Sequence, residues 1–334
     1  MRAFHLQRQG DIDSMTMREQ ENAQPGHREV LVRLRASALN RRDMMILNGA
    51  YAWMPFVPDR IPLSDAAGVV VATGPGVTRF KTDDAVISTP VPRWLGGKVS
   101  PAALAEQPGA SHDGVLCDYR IFHEDALVSM PAHLDFEEAA ALPAAGVTAW
   151  AALKGAQPGD TVLVTGSSAV SIFALQFARL MGTEVIATTS DDGKAARLQA
   201  LGAKAVVNYT QPDWPLSVRG LTGGRGVDRI LEMGGIATLG QSIRCAAFGG
   251  HVSVVGTLAG PGTLDSAAFA ASIVSIHRIS VGSRETMEEM SRAISLHRLK
   301  PVIDKVFDFD DAKEAFRYFA GGEYFGKVAI RHGT

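Results

Sequence analysis

Between residues 160 and 189 the spacing of apolar positions changes twice. Thr161-Val-Leu-Val-Thr165 is a short β-branched run of the kind carried by buried parallel strands. Gly166-Ser-Ser-Ala-Val-Ser171 turns the chain. Apolar side chains then recur at helical spacing, at Val170, Phe173, Phe177 and Leu180, and the pattern stops at Gly182. Glu184-Val-Ile-Ala-Thr188 is a second strand. Strand, small-residue turn, helix and strand predict a βαβ unit, which crosses over right-handed into a parallel sheet. Further strands are predicted at 205–208, 227–232 and 251–255, with 279–282 either the last strand or the chain crossing back. Such alternation predicts an α/β domain with a doubly wound parallel sheet.

Residues 1 to about 130 follow a period of two. Val30, Val32, Leu34 and Ala36 alternate with Leu31, Arg33 and Arg35 after the turn Pro25-Gly26, predicting a half-buried strand. Strands are also predicted at 67–72 and 85–88, punctuated by Gly74-Pro-Gly76 and Asp83-Asp84. Residues 90–113, rich in Gly, Pro, Ala and Ser, form either a long loop near a site or a surface insertion. A helix beginning at Glu137 is interrupted by Pro143. A short helix at 312–319 and a strand at 326–331 close the chain.

With 334 residues, 46% of them apolar, two domains are expected. Basic and acidic residues number 33 and 35, so neither nucleic acid nor anionic membrane is an expected partner. No apolar core of a signal peptide stands at the start, and the apolar stretch 139–153 is broken by Pro143 and Gly146. A cytoplasmic location is expected. Cys117 and Cys245 are too few for a disulfide framework or a cysteine zinc site and read as reduced structural thiols.

The turn after Thr165 places backbone N–H groups and a helix N-terminus where a pyrophosphate can sit, which predicts a dinucleotide site. Thr188-Thr-Ser190 ends the second strand where NAD enzymes usually hold a carboxylate, and Lys194 follows. Hydroxyls and an ammonium suit a 2′-phosphate, so NADP(H) is favoured, with NAD(H) possible because Asp191 and Asp192 lie close by.

Several motifs resemble those of the medium-chain dehydrogenase/reductase superfamily. They are Leu39-Asn-Arg-Arg-Asp43, Ser64-Asp-Ala-Ala-Gly-Val-Val70, Ala141-Leu-Pro-Ala-Ala-Gly-Val-Thr-Ala-Trp150, Pro158-Gly-Asp-Thr-Val-Leu-Val164, Leu201-Gly-Ala203, Asn208-Tyr209, Thr222-Gly-Gly-Arg-Gly-Val-Asp228 and Phe325-Gly-Lys-Val328. The branch most similar is that of the zinc-free quinone oxidoreductases. The resemblance implies a Rossmann-type dinucleotide-binding domain over 126–283. It implies a mostly β, GroES-like catalytic domain made from 1–125 and 284–334, a cleft for the nicotinamide, and a homodimer. At the positions of the catalytic zinc ligands stand Asn40, Ser64, Asp65 and Ala145, and the four-cysteine structural zinc run is absent, so no zinc is expected. Arg42 replaces a proton-relaying hydroxyl of the zinc enzymes.

In the turn, relatives carry two adjacent glycines where this chain has Ser168 and Ala169. The implied cofactor contacts are Ser167, Ser168, Ala169 and Val170 in the turn, and Thr189, Ser190, Lys194 and Tyr209 toward the 2′-phosphate. Val255, Gly256, Thr257, Val281, Ser283, Phe325 and Lys327 complete the implied set. Asn40, Tyr51 and Thr148 are the implied catalytic residues; Trp53, Met54, Phe56 and Trp94 read either as an apolar substrate wall or as ordinary core packing. Three functions stay open. One is an NADPH-dependent, zinc-independent reductase acting on a small quinone, enone or other carbonyl substrate. The others are a zinc-free alcohol or carbonyl oxidoreductase and a nucleotide-binding or interaction protein without turnover.

Overall fold

The computed structural model describes residues 1–21, 23–51 and 54–333. The chain divides into two compact units, Met1–Val147 with Gly282–Thr334, and Thr148–Val281. The first boundary lies later than the expected 125/126. The reason is the helix Phe136–Ala140, whose contacts are with strands Glu29–Ala38, Asp65–Thr73 and Lys327–Arg331 of the first unit.

Along the first unit run β1 (Arg2–His5), β2 (Thr16–Glu19), β3 (Glu29–Ala38), α1 (Arg41–Leu47), β4 (Asp65–Thr73), β5 (Ala85–Ser88), α2 (Pro101–Leu104), β6 (Tyr119–His123), β7 (Leu127–Ser129) and α3 (Phe136–Ala140). α3 begins with a capping box. The Asp135 carboxylate accepts from the Glu138 N–H at 2.7 Å and the Glu138 carboxylate accepts from the Asp135 N–H at 3.0 Å. Pro143 has no N–H to give the next turn, and residues Leu142–Gly146 widen into a π turn before α4 (Val147–Ala152).

The second unit continues with β8 (Thr161–Val164), α5 (Ala169–Leu180), β9 (Glu184–Thr189), α6 (Asp192–Ala200), β10 (Ala205–Asn208), α7 (Trp214–Leu221), β11 (Val227–Glu232), α8 (Ile236–Cys245), β12 (Ala246–Val254), α9 (Ser266–Ala270) and β13 (Val274–Arg278). The chain then returns to the first unit as α10 (Arg284–His297), β14 (Ile303–Asp308), α11 (Ala312–Gly321) and β15 (Lys327–Arg331).

In the second unit the strands lie in the order β10-β9-β8-β11-β12-β13, and every pairing is parallel. Counted from β8 this is 3-2-1-4-5-6, the doubly wound order with its switch point beside β8. The last strand is β13, and of the two expected roles for 279–282 the structure takes the second: they carry the chain back. Leu163, Ile186, Ile230 and Val252 from neighbouring strands are buried together with Trp214, Val218 and Ile243 from the helices. On α5 the rings of Phe173 and Phe177 stack at 5.6 Å and Trp150 meets Phe177 edge-on at 5.2 Å. The buried Phe173 and Phe177 each contribute about 1.5–3 kcal/mol.

In the first unit the sheet order is β14-β15-β3-β4-β5-β7, and β6 pairs with the N-terminal half of β3. The alternation read from the sequence holds: Val30, Val32 and Leu34 are buried with Val70, Val86, Val328, Ile330 and Phe316. β15 pairs with β3 as Ala329↔Ala38, which brings the end of the chain beside Leu39 and Asn40. α1, a helix that the apolar pattern does not predict, has Asn40 at its N-cap and carries Arg42 and Asp43 in its first turn. Among the described residues no helix is long and apolar enough to cross a membrane.

Candidate functional site

The second unit carries its expected site residues at strand ends. Gly166, at φ +73°, turns the chain out of β8; that backbone conformation favours glycine, and a Cβ added there would meet nothing within 4 Å. The Gly166 N–H donates to the Thr188 hydroxyl at 3.1 Å. Ser168 caps α5: its hydroxyl accepts from the Ser171 N–H at 3.2 Å and lies 2.8 Å from the Ser171 hydroxyl, which donates to the Thr165 carbonyl at 2.9 Å. The Ser168 side chain is therefore folded onto its own helix. The N–H groups of Ala169 and Val170, in the first helical turn, have no acceptor among the described residues. Ser167 to Val170 are all partly exposed. Such a helix start fits an anionic diphosphate.

At the end of β9, Thr189 is buried and Ser190 is exposed, its hydroxyl 3.1 Å from that of Tyr209. The Asp191 carboxylate accepts from the Lys194 N–H at 2.6 Å and so caps α6. The Lys194 ammonium has no ion-pair partner among the described residues. At the end of β11 the buried Glu232 carboxylate accepts from the N–H groups of Gly234 and Gly235 at 2.6 and 3.0 Å and from the Thr238 and Ser242 hydroxyls. Val255 and Gly256 follow β12, their N–H groups donating to the Glu232 carbonyl. Gly256 is required there, because a Cβ would stand 2.0 Å from the Met233 carbonyl oxygen. Thr257 and Val281 also lie in this unit, as does Thr148, which is buried at its first residue.

The first unit supplies a sealed ionic network. Lys327 is 1% exposed; its ammonium donates to the Leu39 carbonyl at 2.8 Å and to Asn40 Oδ1 at 2.7 Å, and stands 3.8 Å from Asp65 Oδ2. Asp65 accepts from the Ser64 hydroxyl at 2.7 Å and from the Ala144 N–H at 2.9 Å. Asp43, buried one turn into α1, accepts from the Asn40 N–H at 2.8 Å and lies 3.7 Å from the Arg42 guanidinium. Burial pushes the Asp43 carboxyl up to about 6, against the pull of Arg42. Burial likewise draws the Lys327 ammonium below its ordinary value, opposed by Asp65 and Asp43. Beside this network, the Tyr51 hydroxyl donates to Gln107 Oε1 at 2.6 Å, and Arg42 donates to the same oxygen at 3.3 Å while its guanidinium lies 5.5 Å from the centre of the Tyr51 ring.

The positions that would ligate zinc do not fit it. Asn40 offers its amide oxygen to an ammonium, the Ser64 hydroxyl donates to Asp65, and Ala145 has no donor atom. Among the described residues no group of three or more His, Cys, Asp and Glu is placed to hold a metal.

Asn40, Tyr51, Ser283, Phe325 and Lys327 belong to the first unit, and the other expected site residues belong to the second. Ser283 caps α10, accepting from the Thr286 N–H at 3.1 Å, and Phe325 is buried. Of the expected apolar wall, Phe56 packs on the core and the Trp94 indole donates to the Gly97 carbonyl at 3.0 Å; Met54 is partly exposed, and Trp53 lies outside the described residues. Asp43 and Gln107 were not anticipated. The Asn-x-x-Asp spacing of a capping box signalled the first, and nothing around Gln107 signalled the second.

Residues 26–132 match the model of the alcohol dehydrogenase GroES-like domain and residues 169–295 that of the zinc-binding dehydrogenases. A zinc-type alcohol dehydrogenase-like protein of Schizosaccharomyces pombe is 37% identical over 91% of this chain and 90% of its own. A solved NAD-dependent alcohol dehydrogenase is 34% identical, with a TM-score of 0.89 and full coverage of both chains. The Pseudomonas syringae quinone oxidoreductase is 25% identical, with a TM-score of 0.81 over 99% of each chain. The pairing of a GroES-like domain with a Rossmann-type parallel-sheet domain defines a class of oxidoreductases. The chain belongs to the medium-chain dehydrogenase/reductase superfamily.

Proposed function

We propose that the protein is a zinc-independent, NADPH-dependent reductase that transfers a hydride to a small quinone or α,β-unsaturated carbonyl compound. The observation that carries this reading is the Asn40 amide. Its Nδ2 is buried and has no partner among the described residues, at the sequence position where zinc relatives place a metal ligand. A hydrogen-bond donor left without an acceptor in a low-dielectric setting costs about 1–3 kcal/mol, and a substrate carbonyl oxygen removes that cost. The N–H groups of Ala169 and Val170 at the start of α5 would hold the diphosphate of NADPH, which would supply the hydride. Asn40 then stabilises the negative charge that develops on the substrate oxygen. Tyr51, whose own proton is engaged by Gln107, offers that region an oxygen lone pair, so the proton that completes reduction comes from water or by exchange through Tyr51. The uncommitted Lys194 ammonium and the Ser190 and Tyr209 hydroxyls support a 2′-phosphate, while Asp191 is engaged in capping.

A second reading, a zinc-free alcohol or carbonyl oxidoreductase, is favoured by the alcohol dehydrogenase relatives. Oxidation of NADPH and NADH by a panel of quinones, enones and aldehydes, with alcohols tested in reverse, separates them. Turnover of quinones or enones with NADPH is the expected result. Turnover confined to aldehydes and alcohols supports the second reading, and cofactor binding weaker than millimolar with no turnover excludes both.

A further inference from the structure

A primary amide has an accepting end and a donating end, and the chemistry of Asn40 depends on which one is presented. A carbonyl oxygen turned toward a ligand accepts; an NH2 group donates. In this chain the choice is made by a residue 287 positions away in sequence.

The Lys327 ammonium carries three donors and no acceptor. It is 2.7 Å from one end of the Asn40 amide, and that end must therefore be the oxygen. The ammonium cannot swing away, because the Leu39 carbonyl holds it at 2.8 Å, Asp65 flanks it at 3.8 Å, and the side chain is fully enclosed. Asp65 is itself pinned by Ser64 and Ala144. The Asn40 backbone is pinned as well, its N–H donating to Asp43 at 2.8 Å. Nδ2 is left as the free end.

We propose that Lys327 is a positioning residue: it locks the Asn40 amide so that Nδ2 is presented to the bound ligand as a hydrogen-bond donor. The proposal rests on the reductase reading for the ligand's identity, since an electron-rich carbonyl oxygen is what such a donor recognises. It assigns Lys327 a role inside the first unit, distinct from contact with the cofactor phosphates.

The test uses the full-length protein and has two arms. The chain has four asparagines, so labelling with [15N]asparagine gives a sparse side-chain amide spectrum in which loss of a signal in Asn40→Asp assigns Asn40. In wild type the Asn40 amide should give one pair of slowly exchanging NH2 signals. In Lys327→Gln, whose new side chain can bond either face, it should shift or split while the other asparagines stay put. An unchanged Asn40 signal in a folded Lys327→Gln protein overturns the proposal, and this arm needs no turnover.

The second arm leaves Lys327 in place and decides the matter if Lys327→Gln does not fold. Asn40→Ala removes the donor and should lower kcat/KM about 10²-fold. Asn40→Asp keeps the partner of Lys327 but turns a carboxylate oxygen toward the carbonyl, and should lower kcat/KM roughly a further tenfold. If Asn40→Asp is as active as Asn40→Ala or better, the oxygen face was the one presented and the proposal fails. If wild type shows no reductase turnover, the functional reading fails, and the amide spectrum still tests the orientation on its own.

Discussion

In the Thr148–Val281 unit, apart from the buried Glu232 carboxylate that four neutral donors satisfy, the polar groups of the candidate site are backbone N–H groups and hydroxyls at strand ends, with Lys194 uncommitted near the surface. In the other unit Asp43, Asp65 and Lys327 are sealed inside, each bonded to a neutral group or facing an opposite charge. Neutral donors at a rim are weakened little by any one substitution, because water replaces a lost partner. A buried charge has no such substitute, and removing its partner exposes the full cost of its desolvation. Substitutions of equal size should thus have unequal consequences in the two units.

Lys327→Met gives the largest effect expected. It leaves Asp65 and Asp43 without the buried cation and should lower the free energy of unfolding by about 3–5 kcal/mol in denaturant titrations. A loss below about 1 kcal/mol would mean that the network is not held by charge.

Next comes the pH dependence of stability. The Asp43 value of about 6 in the folded chain lies above the ordinary 3.8. Between the two, the folded chain keeps a proton that the unfolded chain has released, so this group's contribution falls as pH rises through that window. His332 acts in the opposite sense. Its ring nitrogens meet the Cys117 carbonyl and the Ser37 hydroxyl, burial lowers it to about 4, and stability rises as pH climbs from there toward 6.5. Asp43→Asn removes the falling contribution and leaves the rising one. Relative to wild type, its unfolding free energy should gain on the order of 3 kcal/mol between pH 4 and 6.5. Parallel profiles would contradict the raised Asp43 value.

The second unit should respond less. Lys194→Ala should raise the KM for NADPH about fivefold and that for NADH less than twofold, since a partly exposed ammonium contributes about 1 kcal/mol to a phosphate contact. An equal rise for both cofactors removes the 2′-phosphate role. Smallest of all, Ser168→Ala removes a helix cap and should cost about 1 kcal/mol of stability, with the KM for NADPH within twofold of wild type. A large rise in KM would show that the hydroxyl serves the cofactor more than the helix.

The same contrast explains what could be read from the chain. The doubly wound sheet follows from local periods, and the turn from Thr165 to Ser171 is contiguous, so both were legible. The capping of α5 by Ser168 was not, because the comparison with glycine-bearing relatives directs attention to lost space rather than to a gained hydrogen bond. Nor was α1, since Arg41-Arg42-Asp43 and two methionines give no clear apolar face. Lys327 and Asn40 were both named, but for unrelated roles. Their contact depends on β15 pairing with β3 and has no local signature. β14 was missed for a similar reason: it is an edge strand, and its register is set by β15 rather than by its own pattern.

The central claim is that hydride transfer here uses an amide donor in place of a metal. It is tested most directly by measuring NADPH-dependent quinone and enone reduction, together with bound zinc, before and after exhaustive chelation. The account predicts substoichiometric zinc, a rate unchanged by the chelator, and no gain on adding zinc. A rate that vanishes with chelation and returns with one equivalent of zinc would contradict it.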